Sequence, residues 1–369
     1  MTLPLRQPLL RAARALGLPR WMRRRHADEL LVLTYHSVTT GVQEIRQRHP
    51  LVYRNAVSAA RFERQMQYLK RHYTLLDGDA LRAVLTGNAP MPDRAVAVTF
   101  DDGLLNNATV ALPILKRLEV PAFFFLPTGF VDAASEGTLR RHWSEDLIAR
   151  FSFRSGDDPL SPESIGRRLP SLTTTLTGCS PTEAMLRAVN HLKNLPPSKR
   201  TDRLAALRDL IGDAPPASAV PATPDGPSLL ATMTWHHARA AATDGITLGG
   251  HTVNHESLAQ LPTETAETEI ARSLQAIEDH TGAPAQLFSY PYGRPDDVSK
   301  THKSILLARE CCGAFTQITG FNDASTDPFF LRRIDVSPNY SLEVFAYIAS
   351  GTKRAVDRVV RGRRPPSSP

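Results

Sequence analysis

Two adjacent carboxylates stand in Thr99-Phe100-Asp101-Asp102-Gly103, directly after an apolar run, and two histidines stand in His251-Thr252-Val253-Asn254-His255 after a second such run. Clustered acids repel, so a pair facing one cavity is stabilised by a cation, an arrangement that gives one metal ligand and one base. Asp-Asp-Gly is also ordinary turn chemistry. If the second segment begins a helix, its histidines at i and i+4 share one face, a spacing that lets two imidazoles grip one ion. Thr252 replaces the glutamate base of a zincin motif. A base must then come from elsewhere, and Asp101 is available. A third segment, Phe288-Ser289-Tyr290-Pro291-Tyr292-Gly293, places a proline and a glycine after another β-rich run. The bent backbone expected there suits a main-chain N–H facing a substrate oxygen, or simply a turn with aromatic packing.

These segments need elements to position them. Leu30–Tyr35, Ala95–Phe100, Ala122–Leu126, Ile246–Leu248, Gln286–Tyr290, Ala314–Ile318 and Arg333–Val336 read as strands. Between them, Ala60–Tyr73, Val110–Leu118 and Thr263–Thr281 carry apolar residues at helical spacing. Strand–helix alternation predicts an α/β fold with a mostly parallel sheet. All three chemical segments then lie at strand C-termini, where such folds place ligands. The alternation lapses at about 153–228, where two helices are expected in a helical insertion rather than an independent domain. The first is capped by Ser180, with Glu183 closing a capping box, and the second ends at Gly212.

The 369 residues and 41% apolar content suit one large barrel or two average domains, with a sizeable core. A net charge of +7 would suggest nucleic acid were it spread over the fold. It is not: residues 1–30 and 351–369 each carry +5, so the body between them carries −3. The expected organisation is a basic segment at 1–29, the catalytic domain at 30–350 and a basic, disordered tail at 351–369. Cys179, Cys311 and Cys312 form no C-x-x-C pair, which excludes a disulfide scaffold and gives no structural zinc site. Arginines interrupt the N-terminus before any signal-peptide core can form, and no run approaches the ~18 apolar residues of a membrane span. The expected location is the cytoplasm or the cytoplasmic face of a membrane. Pro8–Gly17 can form a short amphipathic helix stopped by Gly17, so the basic N-terminal segment is a candidate for peripheral membrane contact or an ordinary solvated tail.

The order of T-F-D-D-G, H-T-x-x-H and P-Y-G resembles the polysaccharide deacetylases of the NodB-homology type, carbohydrate esterase family four. The resemblance spans roughly Leu31 to Val336 and includes Leu33-Thr-Tyr-His-Ser-Val38, Phe62–Leu69 and Pro121–Phe130. It implies a distorted (β/α) barrel of fewer than eight strands and a hydrolase that removes acetyl from an N-acetylated sugar. By position, Asp101 corresponds to the general base, Asp102, His251 and His255 to the ligands of one divalent ion, most simply zinc, and Tyr292 to the backbone oxyanion donor. Pro291, Tyr292 and Trp143 are the expected substrate contacts, and an N-acetylated carbohydrate is the expected partner.

Two features depart from the family pattern. Its third-motif arginine falls at Ser289, and its later Leu-x-His motif has no clear match, that stretch being Leu331-Arg332-Arg333-Ile334-Asp335-Val336. His36, at the end of the first strand, is the preferred general acid, against a purely structural histidine. Arg333 is expected to replace the missing guanidinium beside Asp101, against a surface charge or a pair with Asp335. The rival functions are aspartyl-phosphatase chemistry, disfavoured because Gly103 stands where a second acid is needed, and a sugar-binding pseudoenzyme of the same fold.

Overall fold

In the computed structural model, residues 17–40, 49–153, 160–213 and 230–352 are described. Seven apolar, β-rich segments form parallel strands: β1 (Leu31–Tyr35), β2 (Ala95–Phe100), β3 (Phe123–Leu126), β4 (Thr247–Gly250), β5 (Leu287–Ser289), β6 (Gly313–Thr319) and β7 (Leu331–Asp335). Neighbours in sequence are neighbours in the sheet. The ring closes because β1 pairs with both β2, through Leu33 and Val98, and β7, through Leu33 and Ile334. Two residues, Thr74–Leu75, add a short strand along the start of β2, outside the ring. The result is a seven-stranded parallel barrel.

Strand side chains alternate with a period of two, and the two sets enter different cores. Leu31, Leu33, Val96, Val98, Phe100, Phe124 and Leu126 pack outward with Phe62, Met66, Leu115, Ile270 and Leu274 of the surrounding helices. Val32, Ala95, Ala97, Phe123, Phe125, Leu287, Phe315 and Leu331 form a second cluster that fills the barrel. Continued towards the strand C-termini, the inward parity runs through Thr99 to Asp101, through Gly249 to His251, and to Ser289 and Arg333. The polar site is therefore the upper end of the same alternation that fills the core.

The helical region has its own apolar core. Trp143–Phe153, Pro162–Arg168, Pro181–Lys193 and Pro197–Ile211 are helices whose inner faces share a cluster including Leu147, Ile165, Val189, Leu192 and Leu207. Leu51, Val52 and Tyr53 join this cluster from the other side of the mouth, and the helices begin at Trp143, earlier than the expected boundary. Ser180 caps as expected, its hydroxyl accepting from the Glu183 N–H at 3.2 Å, but Glu183 pairs with Arg187 at 2.7 Å instead of closing a capping box. Gly212, at φ 94°, ends the last helix.

A helix follows Gly17 directly. Gly17 lies at φ 69° before Leu18–Arg25, a helix that buries Met22 and whose Arg23 donates to the Tyr68 hydroxyl at 2.9 Å. The rest of the proposed Pro8–Gly17 helix and the tail after Thr352 lie outside the described residues. Among the described residues, no helix is long and apolar enough to cross a membrane.

Because Leu207 is fully buried in the helical cluster, Leu207→Ala is expected to destabilise the protein by about 2–5 kcal/mol through lost apolar burial and a residual cavity. A urea denaturation curve measures this, and a change within error of zero would show that the cluster does not contribute to the cooperative fold.

Candidate active site

Past the end of β2 the backbone turns sharply, with Asp102 at φ 71° and Gly103 at φ 57°. The turn breaks the alternation of the strand, so the two adjacent carboxylates line one cavity instead of pointing to opposite faces. That cavity, about 430 Å³, opens between the C-terminal end of the barrel and the helical region.

Asp101 is almost fully buried and meets Arg333, which is completely buried. The two form a fork: Nη1 donates to Oδ1 at 2.9 Å and Nη2 to Oδ2 at 2.7 Å. The remaining guanidinium hydrogens reach the Thr316 carbonyl from Nε at 2.7 Å, Thr99 Oγ1 at 3.2 Å and Ser289 Oγ at 2.9 Å. Ser289 passes the bond on, donating to Asp101 Oδ2 at 3.2 Å. Burial by itself would raise the Asp101 carboxyl, but the Arg333 charge, followed by His251, the Arg333 hydrogen bonds and His36, holds it below the usual carboxylate range.

Asp102, His251 and His255 converge beside this pair. Asp102 Oδ1 lies 3.6 Å from His251 Nε2 and 3.0 Å from His255 Nε2, and one ligand atom from each residue falls within 4.8 Å of the others. His251 Nδ1 is 2.6 Å from the Ser289 carbonyl, which can only accept, so Nδ1 carries the proton and Nε2 presents a lone pair to the cluster. A carboxylate oxygen and an imidazole lone pair aimed at one point fit a divalent cation between them.

The histidines do not converge through a helix, contrary to the sequence expectation. His251–Glu256 is an irregular loop with Thr252 at φ 62° and His255 at φ 55°, both left-handed. Such a backbone persists only when its surroundings fix it. Glu269 accepts from the Val253 and Asn254 N–H groups at 2.9 and 2.8 Å, and the Thr252 and Val253 carbonyls accept from Thr128 and Gly129. From the helical region, Arg200 grips Glu256, the neighbour of His255, through Nη2 at 2.6 and 2.5 Å to its two oxygens.

Tyr292 sits at φ 61° at the centre of a three-residue turn closed by the Gly293 N–H donating to the Pro291 carbonyl at 2.7 Å. Gly293 is required there, since it lies at φ 55° and a Cβ would come within 2.6 Å of the Gln317 nitrogen. The Tyr292 side chain lines the cavity; Pro291 is buried and does not. The Tyr292 hydroxyl lies 3.2 Å from His142 Nε2, and the His142 ring centroid is 4.7 Å from that of His255. Burial, followed by the charge of His255, holds the His142 imidazole well below its usual range, so it is neutral. His36 lines the opposite wall, with Nδ1 3.8 Å from Asp335 Oδ1.

The matching family model, Polysaccharide deacetylase, covers residues 88–151 and 221–306. Over these two stretches, which hold Asp101, Asp102, His251 and His255, the chain is similar to this family. The stretch between the two matched parts holds the helices from Pro162 to Ile211. The chain is also similar to the polysaccharide deacetylase-like protein YxkH of Bacillus subtilis, at 28% identity over 107 residues, 29% of this chain and 34% of that protein. The match thus spans about a third of the curated relative. Among solved structures, it is similar to the deacetylase PplD of Streptococcus pyogenes in complex with acetate (18% identity, TM-score 0.56, 87% of this chain and 98% of that one). It is also similar to IcaB from Ammonifex degensii (19% identity, TM-score 0.52, 88% and 97%). These two likenesses support the barrel as a shared fold.

Trp143 is a correction to the sequence reading. It is buried in the helical core under the Arg200 guanidinium, 4.7 Å from its ring, and does not line the cavity, whereas its neighbour His142 does. Helical register decides this: adjacent residues at the start of a helix point to different sides. Sequence reasoning also missed Glu269, Arg200 and Lys193, whose only signal was a charge on an otherwise amphipathic helix.

Removing the guanidinium as Arg333→Met leaves Asp101 buried and unpaired, which is expected to cost about 3–5 kcal/mol near neutral pH. In the wild type the depressed Asp101 contributes stability that is present above the unfolded-state pKa and lost as pH falls through the folded-state value. In the variant, burial raises the folded-state pKa, so protonation favours the folded form and the deficit shrinks as pH falls. Denaturation of both proteins across pH 4–8 (an order-of-magnitude window about the carboxylate range) measures this, and a pH-independent difference would contradict the assignment.

Proposed function

We propose that this chain is a metal-dependent hydrolase that removes acetyl from an N-acetylated sugar. The observation that carries the reading is the placement, on one cavity wall, of a carboxylate oriented by Arg333 beside three converging ligand atoms. Asp102, His251 and His255 would hold one divalent ion, zinc by the nitrogen-rich donor set, which supplies Lewis acidity towards the acetyl carbonyl and makes water a better acid.

The remaining work falls to the protein. Asp101 accepts the proton of the attacking water; Arg333 keeps it ionised and pointed into the cavity. A carboxylate stabilised in this way is a weak base, which suits it to a water that is already acidified. The Tyr292 main-chain N–H is assigned to the negative charge that develops on the former carbonyl oxygen. His36, on the opposite wall beside Asp335, is assigned to protonate the leaving amine.

Acetate release from N-acetylglucosamine oligomers, with and without chelator, tests the reaction. Asp101→Asn is expected to keep its metal and lose turnover by roughly 10²–10⁴-fold, the usual range for loss of a general base; near wild-type turnover would reassign the base. Asp102→Ala and His251→Ala are expected to lose metal during purification, read by elemental analysis. Stoichiometric metal in both variants would remove them from the ligand set.

A further inference from the structure

The cavity wall facing the metal-ligand cluster carries more positive charge than its carboxylates neutralise. Four carboxylates line the cavity, and three have charged or ligand partners: Asp101 with Arg333, Asp102 with the two histidines, and Glu145 with Arg54. The fourth, Asp335, lies by His36. Arg140, Arg141, Lys193 and Arg294 also line it, and among the described residues none of the four has a carboxylate within ion-pair distance. Arg140 and Arg294 bond to amide oxygens instead, of Asn254 at 2.6 Å and Asn194 at 3.1 Å. Arg141 Nε is buried without a hydrogen-bond partner.

Lys193 is the most informative of these cations. It ends the helix Pro181–Lys193, so the helical region delivers it to the mouth, and its Nζ stands 4.9 Å from the centroid of the Tyr292 ring. That ring lies 5.4 Å from the His255 ring, so the ammonium is within about one sugar of the reacting amide. Burial pushes the Lys193 ammonium pKa down, ahead of all charge effects, and Arg141 is lowered by burial too. Glu145 and Asp102 attract the Lys193 ammonium, and Asp146 the Arg141 guanidinium, only from beyond ion-pair distance, and the cost of burying such cations is offset when a bound anion completes the site.

We propose that Lys193 and the neighbouring arginines bind an anionic group carried by the substrate, phosphate or carboxylate, on the acetylated sugar or the one next to it. This deepens the deacetylase reading and rests on it. A phosphate would be attached at the anomeric position of the acetylated sugar; a carboxylate would belong to an adjoining uronic acid.

The test is binding to the metal-loaded enzyme by calorimetry, with three probes: N-acetylglucosamine 1-phosphate, a hyaluronan tetrasaccharide and neutral chitotetraose. One of the two anionic probes is expected to bind at least about tenfold more tightly than the neutral one, the scale of a charge-assisted hydrogen bond. Which one does so identifies phosphate or carboxylate. Lys193→Met should abolish the preference and Lys193→Arg should keep it, and higher salt should weaken it in the wild type. Equal binding of all three probes, or an unchanged preference in Lys193→Met, overturns the proposal. Acetate release, followed in parallel on all three probes, reports separately on the deacetylase reading. Release without anionic preference defeats only the proposal made here, and anionic preference without release from any of the three defeats only the deacetylase reading.

Discussion

The buried fork between Arg333 and Asp101 is the constraint around which the upper barrel is arranged. A guanidinium and a carboxylate out of contact with water are tolerable only if their remaining donors and acceptors are matched. The match uses atoms from four strands or strand ends: Thr99 and Asp101 after β2, Ser289 of β5, the Thr316 carbonyl of β6 and Arg333 of β7. A shift of any of these strands by one residue would turn a polar partner out of the barrel and an apolar one in. The polar cluster therefore selects the register that the apolar interior below it also requires.

The same interaction explains how a serine can stand at the third motif. A long side chain at Ser289 would compete with Arg333 for the space above Leu287 and Phe315. With a hydroxyl there, the guanidinium reaches Asp101 from β7, and the serine relays a hydrogen bond between the two. The guanidinium beside Asp101 thus comes from β7, two strands along the barrel from Ser289. Ser289 also contributes its carbonyl to His251. One residue thus links the Asp101–Arg333 pair to the Asp102 and histidine cluster.

The helical region completes the site from above. Its Arg200–Glu256 pair holds the loop that ends in His255, and its last turn before Asn194 brings Lys193 over Tyr292. The barrel accordingly supplies the carboxylate pair and the histidines, and the helices bring Glu145 and Lys193 to the cavity. The loop needs this support because two of its residues are held in left-handed conformations that isolated non-glycine residues seldom adopt.

Much of this was legible in the sequence, for local reasons. Most barrel strands announced themselves as apolar runs, because a parallel strand buried on both faces needs no partner to be recognised, whereas the charged Leu331–Asp335 strand was placed two residues late at its start, from Arg333. The chemical residues were legible because they follow those runs directly, where an α/β fold opens. What one dimension could not carry was the path between elements. The His251–His255 spacing suggested a helix, yet the loop is set by Glu269 and the backbone of Thr128 and Gly129, more than a hundred residues away on one side. Trp143 looked like a site residue, and only the packing of four helices turned it into their core and brought His142 to the cavity. The meeting of Arg333 with Asp101 depends on barrel closure, which brings together residues 232 positions apart. Short-range pattern determined which residues could react and which segments would be strands; the closed ring of strands and the helices above it decided which of those residues meet, because charge pairing and cavity shape depend on distances that sequence separation does not encode.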